Sequence, residues 1–423
     1  MSKPIPITAS SRSSMKHSMK ERESRPPSRL IERCLNCIPL TSEQLYEVIL
    51  MHCMDREKMQ EHGFPMADLD EPGKVTILSS TVFPKPLNPG IQNCRCGKKI
   101  SLLDNDEWYS AAAEGGWCRY HFGKVEWYRD SKGKKMALYT CCARPKSDLG
   151  CSRSKHHVSF HRPFEKIEFM RVGSPPVDAE FPTGDRHPRN VFALDCEMAF
   201  TTRGMELVKV SLIGIDGSVV YDTYVLPKHD ILDYNTPFSG VDADIMTGVT
   251  TTLTEVQDQL VRLLNKDSIL IGHSVENDFL ALNFVHENVV DTSFVFPHAQ
   301  GYPIKHSLKY LAKHHLKKSI QKGFQGHSSV EDARTCMELM LFKIYQDTKP
   351  INWVPESRDN GFFREVPPPP ALMPFCPPFA TLKNRFPTPA FFHGPILHRA
   401  PTATFPAMFI PCRIYNSWGM RLC

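Results

Sequence analysis

Asp195-Cys196-Glu197 closes the apolar run Val191-Phe192-Ala193-Leu194. A run apolar on both alternating faces reads as a central strand, and residues two apart on a strand point to the same side. Both carboxylates therefore share a face, with Cys196 turned the other way. Two acids side by side at the end of a buried strand repel each other and are costly to desolvate; a divalent cation removes both costs. Alone, such a pair is usually a strand end that has reached solvent. Two further acids extend the pattern. Asp278 lies in the first turn of a helix after Gly272-His273-Ser274, and its helical neighbours Ala281, Leu282 and Val285 are apolar, a face where charge is unexpected. Asp332 repeats this with Cys336 and Leu339, behind a capping box of Ser328 and Glu331. His327 falls immediately before that cap. One first-turn acid commonly serves the helix macrodipole, but two on core-facing stripes beside a strand-end pair make a constellation. Four carboxylates suit two hard cations such as Mg2+ or Mn2+, which leave room for phosphate and water. Two such ions about 3.5–4 Å apart clamp the attacking and leaving oxygens of a phosphoryl displacement. His327, with an ordinary pKa of about 6.5, can take the proton of the attacking water.

The elements that must hold these residues are also readable. Val208, Val210 and Leu212 alternate with Lys209 and Ser211, and Val219 to Val225 alternates again after Asp216-Gly217. Two alternating runs around Asp-Gly predict a hairpin with a type I′ turn. Thr252 and Glu255 form a capping box for a helix whose Leu253, Val256, Leu260 and Leu264 share one face. Ser268–Ile271 is a short apolar strand, and helices are expected to start near Ser274, Ser307 and Ser328. Residues 189–349 thus predict an α/β domain: a mixed sheet, its first three strands antiparallel, covered by helices.

FALDCEM at 192–198, IGHSVENDFLAL at 271–282 and GHSSVEDARTCMEL at 326–339 resemble the three motifs of the DEDDh 3′–5′ exonucleases, which have a ribonuclease H-like fold. The His327–Asp332 spacing marks the histidine subclass. GDRHPRNVFALDCEM, TTRGMELVKV, YDTYVLP, DYNTPFSGV and VVDTSFVFPH resemble the RNA exonuclease 1 / exonuclease GOR branch. The resemblance covers most of 189–349 and runs back, more weakly, to about residue 38. It implies that Asp195, Glu197, Asp278 and Asp332 hold the metals and that His327 is the general base. Met198 is implied to contact the terminal nucleotide, and His273 is placed with it among the substrate-binding residues. Single-stranded RNA as partner and the nucleus as location come from the resemblance alone, since the metal site would act on RNA and DNA alike through phosphate.

Six of the fourteen cysteines fall between Cys94 and Cys151. Cys94, Cys96, Cys118, His121, Cys141, Cys142, Cys151 and His157 make eight ligands, enough for two tetrahedral zinc sites. Adjacent Cys141 and Cys142 could hardly point at one metal without strain, so they are expected to serve different ions. The set is loosely similar to CHORD zinc modules, and the arrangement also occurs in the RNA exonuclease 1 branch. Free thiols in a small core are the alternative. Zinc here is expected to be structural, because no carboxylate-rich open position is evident. Cys34-x2-Cys37 has only His52 and Cys53 nearby and is expected to bind no metal.

Lys305, Lys309, Lys313 and Lys317 recur every four residues, and 305–322 holds six lysines, three histidines and no acid. One helical stripe of lysines, with Lys309 and Lys313 at its centre, would offset the repulsion between an acidic domain and a polyanion. An ordinary solvated face is the alternative. The formal charge of +5 arises at the ends: residues 1–30 hold seven Lys/Arg against two acids, and 366–423 hold five and none. The basic tail over 1–30 and the Pro/Phe-rich tail over 350–423 are expected to be disordered. Between them the predicted order is a small helical segment (31–89), a Cys/His module (90–159), a linker (160–188) and the α/β domain (189–349). An apolar content of 41% excludes wholesale disorder. No apolar run approaches the ~20 residues of a membrane span, and the first residues lack a secretory h-region, so a soluble intracellular protein with reduced thiols is expected. A catalytically idle RNA-binding scaffold and a DNA-directed exonuclease are the rival readings.

Overall fold

Capped helices open the described chain. Ser28 Oγ accepts from Leu30 N to start α1 (Arg29–Cys37), Thr41 and Gln44 form a reciprocal box at α2 (Ser42–Leu50), and Asp55 caps α3 (Arg56–Glu61). The computed structural model describes residues 28–68, 70, 74–77, 91–101, 117–160, 168–171, 190–322 and 326–348. Nearly all of both expected tails and most of the 160–188 segment lie outside the described residues. Among the described residues no helix is long and apolar enough to cross a membrane.

Four small two-stranded antiparallel sheets follow, pairing Met66–Ala67 with Val75–Thr76, Ile91–Asn93 with Lys99–Ser101, Cys118–Tyr120 with Ser152–Ser154, and Val125–Arg129 with Lys135–Tyr139. The central sheet is built from β1 (Val191–Thr201), β2 (Gly204–Gly214), β3 (Val219–Tyr224), β4 (Ile231–Asp233), β5 (Ile269–Gly272) and β6 (Val289–Asp291). Its order is β3-β2-β1-β5-β6, with β4 beside the far end of β1. β1 is antiparallel to β2 and β4 and parallel to β5, which is parallel to β6. This is the mixed α/β sheet that the alternation predicts. The short α4 (Thr236–Ser239), then α5 (Leu253–Leu263), α6 (Glu276–Leu282), α7 (Leu308–His315) and the long α8 (Ser329–Asp347) complete the part of the domain that bears on the site.

β1 separates two cores. Phe192, Leu194, Cys196, Met198 and Phe200 face α5, α6 and the Cys/His module, whereas Val191 and Ala193 face α8 and the N-terminal helices. The acids are therefore approached by helices from both faces of one strand.

Three local expectations are corrected. The β2–β3 connection is a four-residue loop (215–218) in which Gly217 alone has positive φ (81°) and Gly217 N–H reaches Gly214 O, not a type I′ turn. α6 starts at Glu276, because Ser274 is left-handed (φ 56°) and its N–H is tied to Asp291 Oδ1 at 3.0 Å. At α8 the box is half made: Ser328 Oγ accepts from Glu331 N, while the Glu331 carboxylate accepts from Gln321 N.

Candidate active site

β1 delivers Asp195 and Glu197, α6 delivers Asp278 and the first turn of α8 delivers Asp332. Glu197, Asp278 and Asp332 are buried, and one oxygen of each (Glu197 Oε1, Asp278 Oδ1, Asp332 Oδ1) has no hydrogen-bond partner among the described residues. Burial, then the charges of Asp278, Asp332 and Glu197, hold the Asp195 carboxyl well above the usual range. Glu197 is raised by burial and then by Asp332, and Asp278 by burial, against hydrogen bonds from Cys196 that favour its charged form. Burial raises Asp332 to about 7, opposed by Gln321, whose Nε2 donates to Oδ2 at 2.8 Å. Buried carboxylates with unsatisfied oxygens are a set that lacks a counter-charge. Hard divalent cations fit that donor chemistry.

His327 sits beside Asp332, Nδ1 to Oδ2 3.6 Å, and burial followed by Lys309 lowers its pKa to about 4. The imidazole is therefore neutral near pH 7 and able to accept a proton. Its backbone N–H donates to Phe238 O at 2.6 Å and the Phe238 ring meets the imidazole edge-on at 5.9 Å. Gly326 is required just before it: φ is 78°, and a Cβ there would stand 2.2 Å from Gly240 N.

The remaining sequence candidates divide. Met198 is buried on the face of β1 opposite the acid pair. His273 bonds through Nδ1 to Thr292 Oγ1 at 2.9 Å, in a group with Asp291 and Lys305 and not with the four acids. The lysine stripe is corrected, because α7 spans only 308–315. Lys305 precedes it and is mostly covered, paired with Glu276 at 3.0 Å, and Lys317 follows it with φ 53°. Lys309 reaches Gln321 O at 2.9 Å, and its charge acts on both His327 and Asp332. Lys313 lies in the last turn of α7. Sequence reasoning missed Lys209 and Gln321. Lys209 is paired in register with Glu197, is 3% exposed, lies 3.4 Å from Asp222 and favours the charged forms of Asp195 and Glu197. A lysine between Val208 and Val210 of a central strand was the available signal.

The Cys/His ligands fall into two sets, each with its donor atoms within 4.8 Å of one another: Cys94, Cys96, Cys118, His157 and His121, Cys141, Cys142, Cys151. Among the described residues only these sets are drawn so close. Cys94 and Cys118 sulfurs are 3.6 Å apart and Cys96 Sγ is 3.2 Å from His157 Nδ1. In the second set His121 Nδ1 lies 3.6 and 3.4 Å from Cys141 and Cys142, and Cys151 is 3.5 Å from Cys141. Sulfurs so spaced are not disulfides; the 3.5 and 3.6 Å distances match the ~3.5–3.8 Å edges of a zinc tetrahedron, and the two remaining sulfur–nitrogen distances, 3.2 and 3.4 Å, are shorter. The expectation that Cys141 and Cys142 serve different ions is corrected. The chain turns tightly there, with Ala143 left-handed (φ 54°) and Gly123 letting Cys141 approach where a Cβ would be 2.4 Å from its N.

Residues 192–340 match the family model RNase_T, exonuclease. The chain is 36% identical over 328 residues to RNA exonuclease 1 homolog of Homo sapiens, covering 77% of this chain and 25% of that protein. It is 35% identical over 313 residues to putative exonuclease GOR of Homo sapiens, covering 73% of this chain and 44% of that protein. Against the solved Neurospora crassa Pan2 catalytic unit (protease and nuclease domain) the TM-score is 0.35 at 21% identity, over 53% of this chain and 42% of that one, a likeness too slight to carry an argument. The chain spans less than half the length of these two curated relatives. Residues 192–340 form a domain of the exonuclease family, and over most of its length the chain is similar to RNA exonuclease 1 homolog and putative exonuclease GOR.

Proposed function

We propose that the chain is a two-metal-ion 3′–5′ exoribonuclease that releases nucleoside 5′-monophosphates from single-stranded RNA ends. The observation that carries this is the mutual electrostatic influence of four acids, three with an orphaned buried oxygen, with a neutral imidazole beside Asp332. Asp195, Glu197, Asp278 and Asp332 would hold Mg2+, or Mn2+ in its place. Bound there, the ions would acidify water and would offset charge developing on the phosphate. His327 turns Nδ1 towards Asp332, leaving Nε2 to take the proton of the attacking water. Lys209 limits the repulsion among the acids from below. RNA in place of DNA rests on the relatives' names.

The test is release of labelled mononucleotide from a 3′-labelled RNA and a matching DNA. Wild type is expected to prefer the RNA, and Asp195→Asn to be inactive on both. Activity that survives the substitution would remove the two-metal assignment, and a preference for DNA would reassign the substrate.

We also assign one structural Zn2+ to each Cys/His set. Four closed soft ligands leave no open position for chemistry, and His121 Nε2 lies 3.3 Å from Asp148 O, an outer contact that orients Nδ1 inward. Elemental analysis of the purified full chain is expected to give two zinc ions. None would return the cysteines to free thiols.

A further inference from the structure

Residues flanking the zinc ligands reach the segment that carries His327. Arg95 stands between Cys94 and Cys96, with its side chain 1% exposed. It pairs with Asp233 at 2.5 Å and lies over the rings of Tyr120 at 3.6 Å and Phe200 at 5.1 Å. Asp233 ends β4 and accepts the N–H of Asn235 at 2.8 Å, and left-handed Asn235 (φ 55°) opens α4. From the other ligand set, Phe122, beside His121, meets Phe238 of α4 edge-on at 6.3 Å. Phe238 is the residue whose carbonyl and ring both contact His327. Each set thus touches the segment 233–240 through one residue next to a ligand.

We propose that Arg95 and Phe122 are positioning residues: the zinc-held module clamps the segment 233–240, and that clamp fixes the His327 imidazole against Asp332. Separate two-stranded sheets of three- to five-residue strands are marginal at holding a guanidinium and a ring in place unaided; a metal that supplies the folding energy of its module can. The proposal rests on the catalytic reading of His327. It makes turnover depend on ions that touch neither substrate nor the acids.

The test uses the full chain with Mg2+, a 3′-labelled oligoribonucleotide, and spectra of the protein labelled with 15N-histidine. Phe122→Ala is expected to lower kcat about tenfold with KM within about twofold, with zinc content unchanged. It should move the ring resonance of His327 and leave that of His286, which bonds Ser268 O at 2.6 Å away from the module. Arg95→Met should behave alike, and Arg95→Lys, which keeps the charge opposite Asp233, should recover part of the loss. In a His327→Ala background Phe122→Ala should cost nothing more, because the two act as one unit. Should Phe122→Ala lose zinc, Phe122→Leu keeps the apolar bulk and is read the same way. An unmoved His327 resonance, or an equal loss of kcat in both backgrounds, overturns the proposal. If wild type does not cleave RNA, or Asp195→Asn cleaves as well as wild type, the exonuclease reading fails, and the resonance still decides whether the module positions His327.

Discussion

Holding an ionisable oxygen away from water without a partner costs stability, and Glu197, Asp278 and Asp332 each hold one. Function and stability should therefore conflict at these positions. In Mg2+-free buffer without chelator, Asp332→Asn is expected to be more stable than wild type by about 1–2 kcal/mol in denaturant unfolding, while cleavage is lost. Added Mg2+ should raise the melting temperature of wild type more than that of the variant; a variant less stable without Mg2+ would mean that the acids are at ease without metal. The lysines separate by burial. Lys309 is exposed and acts on His327 and Asp332, so on the proposed reading it would meet phosphate. Lys309→Ala should make the log–log salt dependence of single-stranded RNA binding shallower by about 0.7. Lys305→Met should leave that slope alone and cost about 3 kcal/mol of stability, because Glu276 and Asp291 lose a buried partner.

At the scale of elements, the approach to His327 depends on backbone closeness. Gly326 combines positive φ with contact against Gly240, so a methyl group strains the turn and displaces the ring that follows. Gly326→Ala is expected to lower kcat by about a hundredfold with a smaller change in melting temperature; unchanged kcat would show that the ring is not held from this side. This turn was not legible in the sequence, because a glycine before a histidine says nothing of what lies across from it. The acids were legible because their signal is local: a charge at a strand end or on an apolar helical stripe needs no partner to look out of place. Lys209 carried the same kind of signal but was absorbed by the alternation of β2, which reads any polar residue as outward-facing. Its burial depends on both faces of that strand being covered. Cys141-Cys142 misled for the complementary reason. Two adjacent side chains diverge on a strand or helix, and only a left-handed turn at Ala143 brings both to one centre.

At the scale of the molecule, the N-terminal helices belong to the same folding unit as the catalytic sheet. His62, which caps the end of α3, packs its ring against Phe294 at 4.5 Å and Tyr302 at 4.0 Å. Burial, then Lys305 and Lys58, lower its pKa to about 4 against the opposing pull of Asp291. A group with a folded pKa below its unfolded value of about 6.5 contributes stability that is complete above 6.5 and is lost as pH falls towards 4. His62→Phe has no proton to take up. Its stability relative to wild type should rise by about 1 kcal/mol per pH unit between 6.5 and 4, solvent at the ring edge trimming the full linkage value. A constant difference across that range would show that the ring is protonated when folded.

The larger consequence concerns how much chain the catalytic domain needs. The family match covers 192–340, yet α8 is covered by residues far outside it. Ile31, Cys34, Ile38, Leu45, Tyr46 and Ile49 are each at most 7% exposed and share one core with Cys336, Met337, Met340, Leu341 and Ile344 of α8. Ile31 fills the space that Gly217 leaves at the β2–β3 loop, where a Cβ would come within 2.8 Å of it. At about 1.5–3 kcal/mol for each buried side chain, and allowing for burial already present in the unfolded chain, the six contribute on the order of 10 kcal/mol. That is as large as the net stability of a typical domain. A chain beginning at residue 189 keeps all four acids and His327, but exposes the apolar face of α8 to water. It is expected to show no cooperative urea transition and to lose cleavage activity, whereas a chain beginning at residue 28 should unfold with the midpoint of the full protein. A cooperative transition of undiminished midpoint from residue 189 onward would show that the helices rest on the catalytic domain without supporting it.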